Sequence, residues 1–392
     1  MNIVHFTDTY HPLINGVTMA VEQYTEKASQ NNNVLVFAPS YSVFSKETKQ
    51  GRVTKKYVRS IPFPIYPGVH AALPNLIGMY RMLKKFKPDI IHIHSPFVLG
   101  ILGVIFSQIL GVKLIGTYHT LFSMGSMYLS PKRLLPGAKL DSATESEHTV
   151  LAQIAWKLQL IFFNICDSVI APTKIIATTL KKQGIKSPVV VLPSGVSLEQ
   201  YPVKTDFTPT NKLIHLGRLG YEKATDTLLR ALSIVQKELP KLELIIVGDG
   251  PAKDYLKKLT KELNLQKKVI FVGMVPNKET PRHYRSCDAF ITASPFETQG
   301  LVLIEAMLSG LPVIAASVNA PIDLIAPGKN GFLFQEGDIE GCAQYIRTLY
   351  KNPDTIKTMG LSARVFAEQF DSTKTSDKLL AHYRSLLKAQ RA

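Results

Sequence analysis

Short runs of valine, isoleucine and leucine recur along the chain, and between them apolar residues return every three or four positions. A first series comprises residues 3–6, 34–38, 90–94, 114–117, 168–171 and 189–192, and a second comprises 213–216, 242–247, 269–272, 289–293 and 313–315. Near-continuous apolar runs of this length predict strands buried on both faces, and their alternation with helical periodicity predicts parallel sheets covered by helices. The expected fold class is therefore α/β with two doubly wound lobes, one over residues 1–193 and one over 194–370. Residues 193–211, with Pro193, Gly195, Pro202 and Pro209, read as the linker.

Residues 97–112 are the stretch most easily mistaken for a membrane span. They run for only about 16 residues, against the roughly 20 a span requires, and Ser107, Gln108 and three glycines interrupt them. Lying between two strand-like runs, they are expected to form a helix covering the sheet. The N-terminal Met1-Asn2-Ile3-Val4-His5-Phe6 begins a strand and not a signal peptide, so a cytoplasmic location is expected.

With 392 residues and 45% apolar content, the chain is long enough for sizeable cores. Cys166, Cys287 and Cys342 lack CxxC or Cys/His metal spacing and read as reduced, buried thiols.

Chemistry concentrates at the ends of the expected strands, where open α/β sheets bind ligands. After the run 289–293 comes PFETQGLVLIEAMLSG, which places Glu297 on a loop and Glu305 about two turns into a helix entered through Gly300. The free N–H groups near Gly300, Leu301 and Val302 form a seat for phosphate, leaving one carboxylate for a sugar and the other for a ribose. After 213–216 comes Gly217-Arg218-Leu219-Gly220-Tyr221-Glu222-Lys223, in which two cations suit a diphosphate leaving group. Gly248-Asp249-Gly250-Pro251 closes the next strand in a tight loop, by itself only a weak nucleotide signal that reads first as an ordinary turn between strand and helix. In the first half, His92 and His94 share one strand face, and no metal site follows from them without carboxylate or cysteine partners. His119 ends another strand and on its own reads rather as a satisfied core histidine.

Taken together, these segments resemble glycosyltransferase family 4, whose members have the GT-B fold, a cleft between two Rossmann-like lobes, and nucleotide-sugar donors. In the first half the resemblance rests on FTDTYHPLINGV, DIIHIHSPFVLG and GTYHT, and at the crossing between lobes on PSGV. It implies that Gly16 lies near the donor diphosphate, that Gly248, Gly250 and Glu305 bind the donor, and that His119 hydrogen-bonds the donor sugar. It further implies that residues 372–387 form a helix packing back on the first lobe. Met274 and Val275, after the strand 269–272, are expected to flank the base, and His94 to line the acceptor side. No Asp-x-Asp occurs, so a metal-independent reaction is expected in which Arg218 and Lys223 neutralise the leaving diphosphate. Glu297 would orient the donor sugar. A departure from the family pattern stands at Asn319-Ala320-Pro321, where a glycine pair is usual before the acidic residue, here Asp323.

Charge bears on the acceptor. The chain carries a formal +16, with 20 Lys/Arg against 9 Asp/Glu in residues 1–193 and 26 against 21 in residues 194–392. Residues 73–87 place Leu76, Ile77, Tyr80, Leu83 and Phe86 at helical spacing beside Arg81, Lys84, Lys85 and Lys87. Such a helix suits an anionic membrane surface, and equally a packed helix with a solvated basic face. The first-half motifs look most like the branch that glycosylates lipids, particularly diacylglycerol glucosyltransferases, and residues 121–140 are expected to contact an acyl chain. The expected activity is retaining transfer of a hexose, glucose from UDP-glucose, to a membrane lipid such as diacylglycerol, without a cofactor and at the cytoplasmic face of the membrane. Mannosyl transfer to phosphatidylinositol-type lipids and transfer to soluble saccharides are the alternatives within the class. A basic nucleic-acid-binding protein is the alternative outside it, distinguished by steep salt dependence; no nucleic acid is expected as a partner. A Rossmann dehydrogenase is disfavoured because no GxGxxG follows the first strand.

Overall fold

A computed structural model describes residues 1–63, 69–119 and 150–391. These form two compact units, one holding the described residues up to Gly195 together with those from Ser372 onward, the other Val196–Asp371.

The first unit is built on an eight-stranded sheet in the order β10-β9-β8-β7-β1-β2-β4-β3. Its strands are β1 (Asn2–Phe6), β2 (Asn33–Pro39), β3 (Lys46–Gln50), β4 (Val53–Val58), β7 (Ile90–Ile93), β8 (Lys113–Thr117), β9 (Ser168–Ala171) and β10 (Val189–Val191). All pair in parallel except β3, which runs antiparallel to β4. A separate hairpin pairs β5 (Ser60–Pro62) with β6 (His70–Ala72). The central strands are buried beyond the leading asparagines of β1 and β2, which explains their largely apolar sequences. Strands β3 to β6 lack that signal: Lys46–Gln50 is entirely exposed KETKQ at the sheet edge, and the sequence pattern does not reveal it.

Helices cover both sheet faces. Leu76–Phe86, Val98–Leu110, Val150–Asn164 and Lys174–Lys182 contribute Met79, Leu83, Leu102, Phe106, Phe163 and Ile176 to one core. Gly16–Ser29 and the terminal Ser372–Arg391 contribute Val21, Tyr24, Leu379 and Tyr383 to the other. The terminal helix is tied down by Gln23 Nε2 donating to the Ser372 carbonyl at 3.1 Å and by a Lys27–Asp377 pair at 3.3 Å.

The second unit carries six parallel strands in the order β13-β12-β11-β14-β15-β16. These are β11 (Lys212–Leu216), β12 (Glu243–Val247), β13 (Val269–Gly273), β14 (Ala289–Thr292), β15 (Val313–Ala316) and β16 (Gly331–Phe334). Only β16, four residues entered through a glycine, is absent from the sequence expectation. All three cysteines are free and buried.

Both sheets have a point at which strand order reverses. In the first unit the chain runs outward from β1 through β2 and returns on the other side as β7; in the second it runs outward from β11 through β12 and β13 and returns as β14. At such a point adjacent connections leave in opposite directions and open a crevice beyond the strand ends.

Candidate functional site

The reversal point of the second unit brings together the loop after β11 and the loop after β14. Lys223 lies in a short 3₁₀ turn, Tyr221–Lys223, and its Nζ is 2.6 Å from Oε1 of Glu297. The pair is largely enclosed, with 23% of the lysine side chain and 14% of the glutamate side chain exposed. Burial alone would raise the Glu297 pKa; the charge of the Lys223 ammonium and the hydrogen bonds from Lys223 and Ser294 outweigh it and hold the carboxyl below its usual range. His215 sits on β11 with Nδ1 3.0 Å from the Ile291 carbonyl and Nε2 3.3 Å from Thr225 Oγ1. Burial takes its pKa down to about 4, so it is neutral at pH 7.

Helix Leu301–Leu308 begins beside this pair. Gly300, at φ 70°, enters it in the left-handed conformation, and among the described residues no side chain caps it. The first-turn N–H groups at Leu301 and Val302 are therefore available to an anion. Arg218 is half-buried on the loop that ends at Lys223. One turn further into the helix, Glu305 has an opposite environment: Tyr284 Oη donates to its Oε2 at 3.0 Å. Burial raises its pKa to about 7, against the lowering effect of hydrogen bonds from Tyr284 and Tyr201. The two glutamates are thus an ion-paired carboxylate on a loop and, within the helix, one whose pKa is raised to about 7.

The glycine loop has a reason within the chain itself. Gly248 is at φ 135°, and a Cβ there would lie 1.9 Å from the Gly217 carbonyl oxygen; one at Gly250 would lie 2.5 Å from that of Leu219. The bonds Gly217 N to Val247 O and Leu219 N to Asp249 O, both 3.0 Å, join the loops that follow β11 and β12. These glycines let two backbones touch and thereby fix the segment carrying Arg218 and Lys223. Met274 is 79% exposed just beyond β13, whereas Val275 packs against the core. Asn319, at φ 57°, donates from Nδ2 to the Pro295 carbonyl at 2.7 Å, and Ala320 N donates to the Glu297 carbonyl at 3.0 Å. The departure from the glycine pair thus supplies a side-chain tie that holds the Glu297 loop.

At the reversal point of the first unit stand four histidines. His5 on β1 is in register with His92 on β7; His94 follows β7, and His119 follows β8. His5 Nδ1 is 2.9 Å from His94 Nε2, and His94 Nδ1 is 3.0 Å from His119 Nε2. His92 is enclosed by Tyr383 Oη at 2.5 Å and Thr117 Oγ1 at 2.6 Å. Burial lowers the pKa of His5 and His119 to about 3 and that of His92 and His94 well below the usual value, with repulsion among the histidines adding to it for the latter two. His5, His92 and His94 bring ring nitrogens within 4.8 Å of one another. A metal would have to displace bonds already made, because His92 has both nitrogens engaged and His5 and His94 bond each other. Among the described residues only His5 Nε2 in this group is buried without a partner. The arrangement is a neutral hydrogen-bonded chain running from His5 through His94 to His119.

Gly16 opens helix Gly16–Ser29, whose cap is the Asn15 side chain accepting from Thr18 N at 2.9 Å. Asp8, which the sequence does not single out, accepts from Ser95 Oγ, Leu99 N and Gly100 N and caps helix Val98–Leu110; burial raises its pKa to about 6. On helix Leu76–Phe86 the apolar residues divide: Leu83, with Met79, is buried, Tyr80 and Phe86 are partly buried, and Leu76 and Ile77 are exposed. Arg81, Lys84, Lys85 and Lys87 are exposed. Residues 121–140 lie outside the described residues. Among the latter, no helix is long and apolar enough to cross a membrane.

Comparison with known proteins accords with this architecture. Residues 14–200 match the model of Glycosyltransferase Family 4, and residues 199–366 that of Glycosyl transferases group 1. The chain is 29% identical over 371 residues to alpha-monoglucosyldiacylglycerol synthase of Streptococcus pneumoniae, covering 90% of this chain and 79% of that protein. It is 27% identical to the protein of the same name from Acholeplasma laidlawii, covering 94% and 93%. Among solved structures, sucrose-phosphate synthase from Thermosynechococcus elongatus aligns with a TM-score of 0.79 at 18% identity, over 99% of this chain and 100% of that one, a likeness of fold. Matched along both halves, the chain belongs to glycosyltransferase family 4 and is a hexosyltransferase with the GT-B fold.

Proposed function

We propose that this enzyme transfers glucose from UDP-glucose to a diacylglycerol-type membrane lipid, with retention of configuration and without a metal ion. The observation that carries the donor half of this reading is the Lys223–Glu297 pair beside the uncapped start of helix Leu301–Leu308. The helix start and Lys223 provide positive potential for the diphosphate, and Arg218 adds a planar donor pair as the sugar–phosphate bond breaks. Glu297, ionised and oriented by Lys223, accepts hydrogen bonds from the sugar hydroxyls. Glu305 remains for the ribose and the segment after β13, with Met274 and Val275, for the base. In the first unit the histidine chain presents a neutral His119 to the sugar, with Gly16 near the diphosphate and His94 behind it. The acceptor half is supported by the names of the relatives above and by the basic helix Leu76–Phe86. The enzyme then works at the cytoplasmic face of an anionic membrane.

Labelled hexose supplied as UDP-glucose, UDP-galactose or GDP-mannose, with anionic vesicles containing or lacking diacylglycerol, tests both halves. Labelled lipid from UDP-glucose alone, formed only with diacylglycerol, is the expected result. Labelled lipid from GDP-mannose, or transfer that ignores diacylglycerol, would replace this donor or this acceptor.

A further inference from the structure

One face of the first unit is unlike ordinary protein surface. The four described helices that contribute to its core, Leu76–Phe86, Val98–Leu110, Val150–Asn164 and Lys174–Lys182, contain no aspartate or glutamate. They contain seven cations: Arg81, Lys84, Lys85, Lys157, Lys174, Lys181 and Lys182. Val98–Leu110 has no charge of either sign. Its Gly100 and Gly103 approach Phe162 and the sheet, and on the opposite side Ile101, Ile105 and Ile109, four residues apart, stand exposed. On the neighbouring helix Ile154, Leu158 and Ile161 are exposed at helical spacing, Leu158 by 63%. A second exposed aliphatic pair, Leu76 and Ile77, belongs to the helix with the densest basic charge.

We infer that this acid-free helical layer is a docking surface for an anionic lipid bilayer, with Ile105 and Leu158 entering its apolar boundary and the lysines meeting the headgroups. The complementarity decides the occupant. An exposed aliphatic stripe of this kind would suit another protein too, but the complete lack of acidic residues across four helices matches a surface that is uniformly negative. Removing even a few acids from a face otherwise costs solubility, and here the helices that carry the aliphatic residues supply cations and, among the described residues, no acid of their own. The inference rests on the lipid-acceptor reading above and extends it from one basic helix to a layer.

The test is flotation of the full chain with vesicles of phosphatidylglycerol and phosphatidylcholine, comparing wild type, the double variant Ile105→Glu with Leu158→Glu, and Val365→Glu. Val365 is 72% exposed on the second unit and makes the same chemical change elsewhere. The double variant should partition at least about tenfold more weakly and Val365→Glu as the wild type does. Thermal unfolding checks that the double variant is folded. Partitioning unchanged in the double variant, or a wild-type dimer in lipid-free solution that the double variant abolishes, overturns the proposal. Transfer to a short-chain, water-soluble diacylglycerol separates the two readings. If the acceptor reading holds, the double variant retains it; if wild type binds vesicles through this face yet never glycosylates that acceptor, only the acceptor reading falls.

Discussion

Lys223 Nζ and Glu297 Oε1 lie 2.6 Å apart although 74 residues separate them in sequence, because β11 and β14 are neighbours at the point where the second sheet reverses direction. That contact makes a cation serve two purposes. It keeps Glu297 ionised against the cost of burial, and in the function proposed above it also meets the donor diphosphate at the start of helix Leu301–Leu308.

Replacing Lys223 with alanine removes both effects, and kcat is expected to fall by about 100-fold or more. Arg218→Ala should give a loss of the same order through the leaving group alone. The two differ in pH dependence. In Lys223→Ala the Glu297 carboxyl loses its main ionising partner, so its pKa rises and the acidic limb of the activity profile moves to higher pH; in Arg218→Ala that limb stays in place. Steady-state transfer measured across pH distinguishes them.

The histidine chain makes the first unit sensitive to acid. His5 and His119 have folded pKa values of about 3 against an ordinary 6.5, so the unfolded state binds more protons between those values. Their contribution to stability is complete above about pH 6.5 and is lost as pH falls toward 3. Tm is expected to drop by at least about 5 °C between pH 7 and pH 5. His5→Asn, which keeps a polar atom near Nδ1 for His94 and removes one buried base and its unpartnered Nε2, should flatten that slope. Calorimetry at a series of pH values reads both.

Asn319 is expected to tolerate glycine better than alanine. At φ 57° and ψ −131°, alanine would be strained and would also lose the bond to the Pro295 carbonyl, whereas glycine loses only the bond. Asn319→Ala should cost roughly 2 kcal/mol and Asn319→Gly roughly 1 kcal/mol in urea unfolding. Transfer rates should follow the same order, because this tie holds the Glu297 loop.

Much of this was legible in the sequence. The buried strands announce themselves because a strand covered on both faces has no reason to alternate, and a short apolar run, a glycine and a second apolar run mark the strand-to-helix turn that carries Glu297. What stayed hidden depends on long-range register. His5 is a single polar residue inside an apolar strand, and only its pairing opposite His92 makes it part of a chain reaching His119. Tyr201 and Tyr284, whose hydrogen bonds partly offset the effect of burial on Glu305, come from segments 104 and 21 residues away in sequence with no motif to join them. Edge strand β3 hides for the opposite reason: it buries nothing, so its sequence carries no apolar signal. On helix Leu76–Phe86 the periodicity was plain, but a helix packed on one core and exposed at its start splits its apolar residues between the two, which spacing does not show.

The most direct measurement is kcat for transfer from saturating UDP-glucose to diacylglycerol by wild type and Glu297→Gln, with the Kd of each for UDP. Gln is nearly isosteric and leaves Lys223 in place, while UDP has no sugar for residue 297 to hold. A fall in kcat of about 100-fold, with Kd for UDP changed by less than about threefold, is expected if Glu297 orients the sugar. A kcat within a few-fold of wild type would contradict the assignment of this ion pair as the donor-handling centre.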